Sequence, residues 1–344
     1  MTDLHRRKAL GLLGGGMALL AGCSEASDDT GNGATDEDDG SNEPIDGDLP
    51  TYASMLPTND RSAYFYGAID VGTMTTLLED EGAEAGEEPT DPLVGNPVVV
   101  ALLCSFAIQQ LSSSAGRDAY LDNNETPDGE EQFVYADGVY AFVGSYDRDG
   151  LATDLESASY TVTAETDAYA VYTNDGSDEV VGVADDVYAY SYPNGSDADF
   201  DPVAAVERTV ATAAGDQEPK HEGDAKFERL LRAGENGGIA CCLYTDSDEF
   251  APETLSDDQA TDEESLQFEF GALDGAFGIH QQLVVTGTDA AATASAVVTY
   301  SSEASVDEAR LESALGTQAE TVDFVTTGSS VEIDAEYGGQ FARE

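Results

Sequence analysis

Between residues 133 and 192 the chain carries a succession of short segments rich in Tyr and Val, and this limits the fold more than any other stretch. Residues 139–143, 160–163, 168–173, 179–183 and 187–192 read as strands, because β-branched and aromatic side chains suit a pleated, half-buried surface. Asn174-Asp175-Gly176 marks a tight turn between two of them, and Asp185-Asp186 separates the last pair. Short strands joined by short turns predict an antiparallel meander. That excludes an all-helical chain and disfavours a parallel α/β sheet, which needs a helical crossover between successive strands.

The flanking segments add helices and further strands. Residues 64–70 read as a first strand, 73–78 as a short helix and 79–91 as an acidic loop. Asn96 followed by Pro97 predicts a helix start. The run 98–111 is then a helix apolar on most sides, central to the core and too short to span a bilayer; its valines leave a buried strand as the alternative. Asp149, Asp201 (before Pro202), Asp224 and Ser305 are expected helix caps. Strands are expected at 239–244, 266–272 and 276–285, the last two forming a hairpin about Leu273-Asp274-Gly275, and again at 294–300, 322–325 and 331–335. The fold class is therefore α+β: an antiparallel Tyr/Val-rich sheet, or sheets, with packed helices. A strand, a helix and two strands at 139–172 recur in the same order at 294–335. This suggests two related units, although no residue-level identity supports a repeat and such units are common in α+β folds.

The amino terminus reads as an address. His5-Arg6-Arg7-Lys8 precedes an apolar, glycine-rich run to Ala21, the pattern of an export signal, and the paired Arg6 and Arg7 suggest the twin-arginine route. Leu20-Ala21-Gly22-Cys23 resembles the lipobox of lipoproteins. That resemblance implies cleavage before Cys23, lipidation of Cys23, and anchoring on the extracellular face of the cell membrane. The expected organisation is a signal peptide over 1–22, an acidic spacer without large apolar residues over 23–50, an α+β domain over 51–246, an acidic linker over 247–264 and a smaller α+β unit over 265–344 packed on the first.

Charge sets the solvent. Thirteen Lys and Arg stand against 70 Asp and Glu, a formal net charge of −57, spread along the whole chain. Such a chain does not bind nucleic acid or an anionic membrane by ordinary electrostatics. Its self-repulsion is screened only in molar salt, where the Debye length is ~3 Å. The composition resembles that of proteins from extremely halophilic archaea. On that reading most carboxylates are solvent adaptation, and acidic clusters are poor evidence for catalysis.

The residues of chemistry are sparse. No Gly-x-Ser-x-Gly elbow, Ser-x-x-Lys motif or glycine-rich phosphate loop is present. Beyond the leader only His221 and His280 remain, and each reads as a surface or packed histidine. The Asp197, Asp199, Asp201 series begins like a calcium loop but has Pro202 where glycine is needed. No catalytic, metal or cofactor residue is assigned, and no cofactor is expected. Cys104, Cys241 and Cys242 are read as buried free thiols, with a bridge from Cys104 to either of the others as the alternative. Asn124-Glu125-Thr126 and Asn194-Gly195-Ser196 are sequons, making Asn124 and Asn194 candidate glycosylation sites. The expected function is a non-enzymatic, lipid-anchored envelope protein that touches the membrane through Cys23 and contacts another envelope protein. The alternatives are a solute-binding lipoprotein of a transporter and an extracellular hydrolase.

Overall fold

The computed structural model describes residues 47–338 apart from positions 60, 62, 75–89, 175, 194–198, 235–236, 253, 256–267 and 287–290. Cys23, Arg6, Arg7 and Asn194 lie outside the described residues, as do the whole leader and most of the spacer and the acidic linker.

Twelve antiparallel strands form one sheet: β1 (Tyr64–Asp70), β2 (Gln132–Ala136), β3 (Val139–Val143), β4 (Thr161–Glu165), β5 (Tyr169–Asn174), β6 (Glu179–Ala184), β7 (Val187–Ser191), β8 (Ile239–Tyr244), β9 (Ala276–Thr286), β10 (Ala291–Tyr300), β11 (Thr321–Thr327) and β12 (Ser330–Tyr337). Their spatial order is β11-β12-β10-β9-β8-β1-β2-β3-β7-β6-β5-β4. The meander of β4 to β7 is present in the expected order, and β7 pairs with β3. The segment after residue 265 joins the sheet edge to edge, through Cys242↔His280 in the β8–β9 register. β3 is separated from β5 by β7 and β6, whereas β10 pairs directly with β12.

Helices cover both faces. On one face lie α1 (Pro92–Ser112), α2 (Arg117–Asn123), α3 (Arg148–Ser157) and α6 (Glu308–Ala314); on the other lie α4 (Pro202–Ala213), α5 (Ala225–Leu231) and the 3-10 turn Thr51–Met55. Strand alternation divides the side chains between two cores. Phe65 and Ile69 of β1 enter the first core, while Tyr64, Tyr66 and Ala68 enter the second. Because both faces are covered at the centre, β1, β2, β3 and β8 are buried along nearly their whole length.

Several local expectations shift by a few residues, each for a physical reason. The long helix starts at Pro92, not after Asn96, because Asp91 caps it by accepting from Leu93 N. Pro97 then lies one turn inside, where it only removes the N–H that would reach the Leu93 carbonyl. Asn96 is instead buried, its amide donating to Glu269 O and Gln281 Oε1. Asp147 rather than Asp149 caps α3, and Asp307 rather than Ser305 caps α6. Asp201 and Asp224 cap α4 and α5 as expected. The strand expected over 266–272 is absent from its described part, where a 3-10 turn, Gly271–Leu273, leads into β9.

α1 crosses β1 where β1 has no side chain. A Cβ at Gly67 would lie 2.6 Å from Val100 Cγ1 and 2.8 Å from Cγ2. Gly67→Ala is therefore expected to lower unfolding free energy by about 2 kcal/mol through overpacking. Adding Val100→Ala should make the pair less destabilised than the sum of the two single changes. Denaturant melts at molar salt measure both.

Candidate functional site

α1 is the one long helix among the described residues that passes the length and composition test for a membrane span, a test that a buried core helix also passes. Its 21 residues contain no charged side chain, in a chain with 83 of them. Its inner side, with Leu93, Val99, Val100, Cys104, Ala107 and Leu111, is buried on the sheet. It is not enclosed, however. Leu102 is 38% exposed, Phe106 is half-buried and Gln109 is exposed. These three stand at i, i+4 and i+7, on one outer line of the helix. A globular helix ordinarily turns charged and polar residues outward; this one turns outward leucine and phenylalanine beside an uncharged glutamine. That arrangement can dock an apolar surface, and it offers no acid, base or nucleophile.

Inside the molecule the carboxylates are already engaged. Glu131 accepts from Tyr120 Oη at 2.9 Å, Tyr146 Oη at 2.7 Å and Asn124 Nδ2 at 2.8 Å. Fully buried Glu179 accepts from Tyr160 and Tyr192. Asp224 accepts from Tyr244 Oη at 2.7 Å, and fully buried Asp91 accepts from Tyr337 Oη at 3.0 Å. Burial and the adjacent carboxylate together push each of these tyrosines above its ordinary value. The Tyr–carboxylate pairs are structural joints that hold helices and loops to strands.

The remaining candidates are placed as follows. Cys104, Cys241 and Cys242 are buried and free, and burial raises each thiol. His280 is enclosed on β9 against Tyr66, with ring centroids 6.2 Å apart, and burial lowers its pKa to about 4. His221 is buried in the turn Lys220–Gly223. Beside it Lys220 Nζ stands 5.4, 5.4 and 5.1 Å from the rings of Tyr64, Phe227 and Tyr244, and 3.6 Å from Asp224 Oδ2. This caged ammonium pins the turn to the second core. Asn124 is half-buried, and a glycan on Nδ2 would have to displace the bond to Glu131. Of the Asp197, Asp199, Asp201 series, Asp201 is engaged as the cap of α4 and Asp197 lies outside the described residues. Among the described residues no cluster of three or more His, Cys, Asp or Glu is disposed to hold a metal. A shallow pocket of about 230 Å³ lies past the end of β8, lined by Thr245, Ser247, Glu249 and Phe250 among others. Glu249 is its one ionisable lining residue among the described residues, so those residues show no carboxylate pair of the glycoside hydrolase kind there.

No protein-family model matches this sequence, and no curated protein sequence matches it. Two solved structures are similar in outline, crystal forms I and IV of TP0453, at 11% and 9% sequence identity. The alignments cover 86% and 85% of this chain and 95% and 94% of those chains, each with a TM-score of 0.40. A likeness of that size carries no argument about function.

Proposed function

We propose that the chain is a non-enzymatic, lipid-anchored protein on the extracellular face of the cell membrane of a halophile, and that its folded part docks another envelope protein through the outer line of α1. The observation that carries the docking surface is the uncharged, partly exposed line of Leu102, Phe106 and Gln109 in a protein of net charge −57. On a chain so rich in carboxylates, an approaching protein meets here an uncharged and partly apolar surface at little electrostatic cost. The anchor rests on the leader and the lipobox cysteine, Cys23. The idea of two related units belongs to the same proposal. β1-β2-β3 followed by α3, and β8-β9-β10 followed by α6, run similar courses before their return strands, with one extra hairpin in the first.

A photo-crosslinking residue at Leu102, on intact cells held at molar salt, tests the docking surface. Capture of an envelope protein from position 102, and not from a probe at exposed Glu312 of α6, is the expected result. Capture of a transporter permease would replace this reading with solute delivery, and no position-dependent capture would remove it. A Cys23→Ser chain should appear in the medium.

A further inference from the structure

The described chain exposes four large apolar side chains, Leu102, Leu121, Val322 and Val325, and two of them lie on one strand. That strand, β11, is a terminal strand of the sheet, so among the described residues one of its backbone edges has no partner strand. It is seven residues long, pairs with β12 without a register shift, and carries one charge, Asp323. Exposed edges of this kind are ordinarily blunted by charge, proline or a bulge. The opposite edge, β4, is blunted: its register slips between Val162 and Ala164 and it ends on Glu165.

We propose that β11 pairs with β11 of a second copy of this chain, antiparallel about Phe324, joining two sheets into one. The geometry follows from the hairpin. Gly328 (φ +59°) and Ser329 form a two-residue loop, so Thr327 and Ser330 exchange backbone hydrogen bonds. By alternation Thr321, Asp323, Val325 and Thr327 then point their amides at β12. Val322, Phe324 and Thr326 point theirs at the free edge. Centring the two-fold on Phe324 places Phe324 opposite Phe324 of the second copy and Val322 opposite its Thr326, all three pairs hydrogen-bonded. Asp323 then faces Val325 of the second copy, so no carboxylate directly opposes another. The side chains of Val322 and Phe324 lie on the same sheet face as Ile333 and Ala335, so the first core continues across the seam. Isologous pairing closes on itself, and the bulged β4 edge stops further addition.

The neighbouring acids decide when this happens. Glu332, Asp334 and Glu336 stand beside the exposed side of β11, and the two Asp323 residues approach diagonally at roughly 7–8 Å. Their repulsion is screened only at high ionic strength, so the dimer forms in molar salt and dissociates in dilute buffer.

Sedimentation of the full chain across a salt series tests this. Wild type should be dimeric in molar KCl. Val325→Asp sets carboxylates opposite Asp323 and should leave a monomer with an unchanged circular dichroism spectrum, since the site is 52% exposed. Val325→Lys creates two cross-strand ion pairs and should tighten association roughly tenfold, carrying the dimer to lower salt. Phe324→Cys should crosslink on oxidation, because Cα atoms of a hydrogen-bonded pair stand ~5.5 Å apart, within disulfide reach. A wild-type monomer at molar salt, a Val325→Asp dimer as tight as wild type, or a Val325→Lys form no tighter than wild type would each overturn the proposal.

Discussion

Raised through pH 10 in molar salt, the protein should unfold in one cooperative step, and its tyrosines should ionise with that step rather than before it. All sixteen tyrosines are held above their ordinary value of 10.0, and in every case burial is the leading cause. Tyr135 and Tyr300 are pushed up to about 12, and fully buried Tyr64, Tyr66, Tyr188 and Tyr190 stand well above 10. The folded pKa lies above the unfolded one, so the contribution to stability is intact below pH 10 and is lost as pH rises past it. At pH 11 each buried tyrosine favours the unfolded chain by about 1.4 kcal/mol, and those four together by about 6 kcal/mol. That is comparable with the whole stability of an ordinary domain. Tyrosinate absorbance and circular dichroism followed together check it. Gradual ionisation of most tyrosines in a chain that keeps its fold would contradict the buried aromatic layer.

Replacing Asp91 should cost nearly as much. Its carboxylate accepts from Leu93 N, Gly316 N, Gln318 N and Tyr337 Oη at 3.0 to 3.2 Å, with no exposure to solvent. One side chain therefore caps α1, closes the turn after α6 and fixes the end of β12. Asp91→Ala strands four donors in the interior, and at ~1 kcal/mol or more each the expected loss is about 4 kcal/mol. Asp91→Asn keeps one acceptor oxygen and should lose roughly half of that. Unfolding by guanidinium at constant high ionic strength measures both. A loss below about 1 kcal/mol for the alanine variant would mean that α1 and the terminal hairpin are not tied at this point.

The strands were legible in the sequence wherever alternation, turn chemistry and length agreed. β1, β3, β5 to β8 and the β11–β12 hairpin fall within a residue or two of their expected bounds. β2 is absent from the expected strands, although Asp137-Gly138 before Val139 is a hairpin signal; both residues adopt positive φ, +49° and +80°. The sequence does not fix the start of α1, because Asp91-Pro92 and Asn96-Pro97 are equivalent signals five residues apart. The choice is made by Gly316, Gln318 and Tyr337, more than 220 positions away. For the same reason the Tyr–carboxylate joints were invisible: nothing local marks Glu131 or Glu179 among seventy acids. The outer line of α1 is not legible either, since an apolar stretch that reads as core does not say how many of its sides are covered.

The seam between β1 and β8 also sets a timetable for folding. Most neighbours in the sheet are hairpins that can form early, but β1 must find β8 across nearly half the chain; Gly238 N reaches Asp70 Oδ2 over 168 positions. Closing so long a loop carries a large entropic barrier before any contact offsets it. Two partly assembled half-sheets, each with an open and largely apolar central edge, would therefore persist until that encounter. During this interval the β1 edge of one molecule could capture the β8 edge of another. Refolding yield should therefore fall steeply with protein concentration, even where the finished molecule is stable.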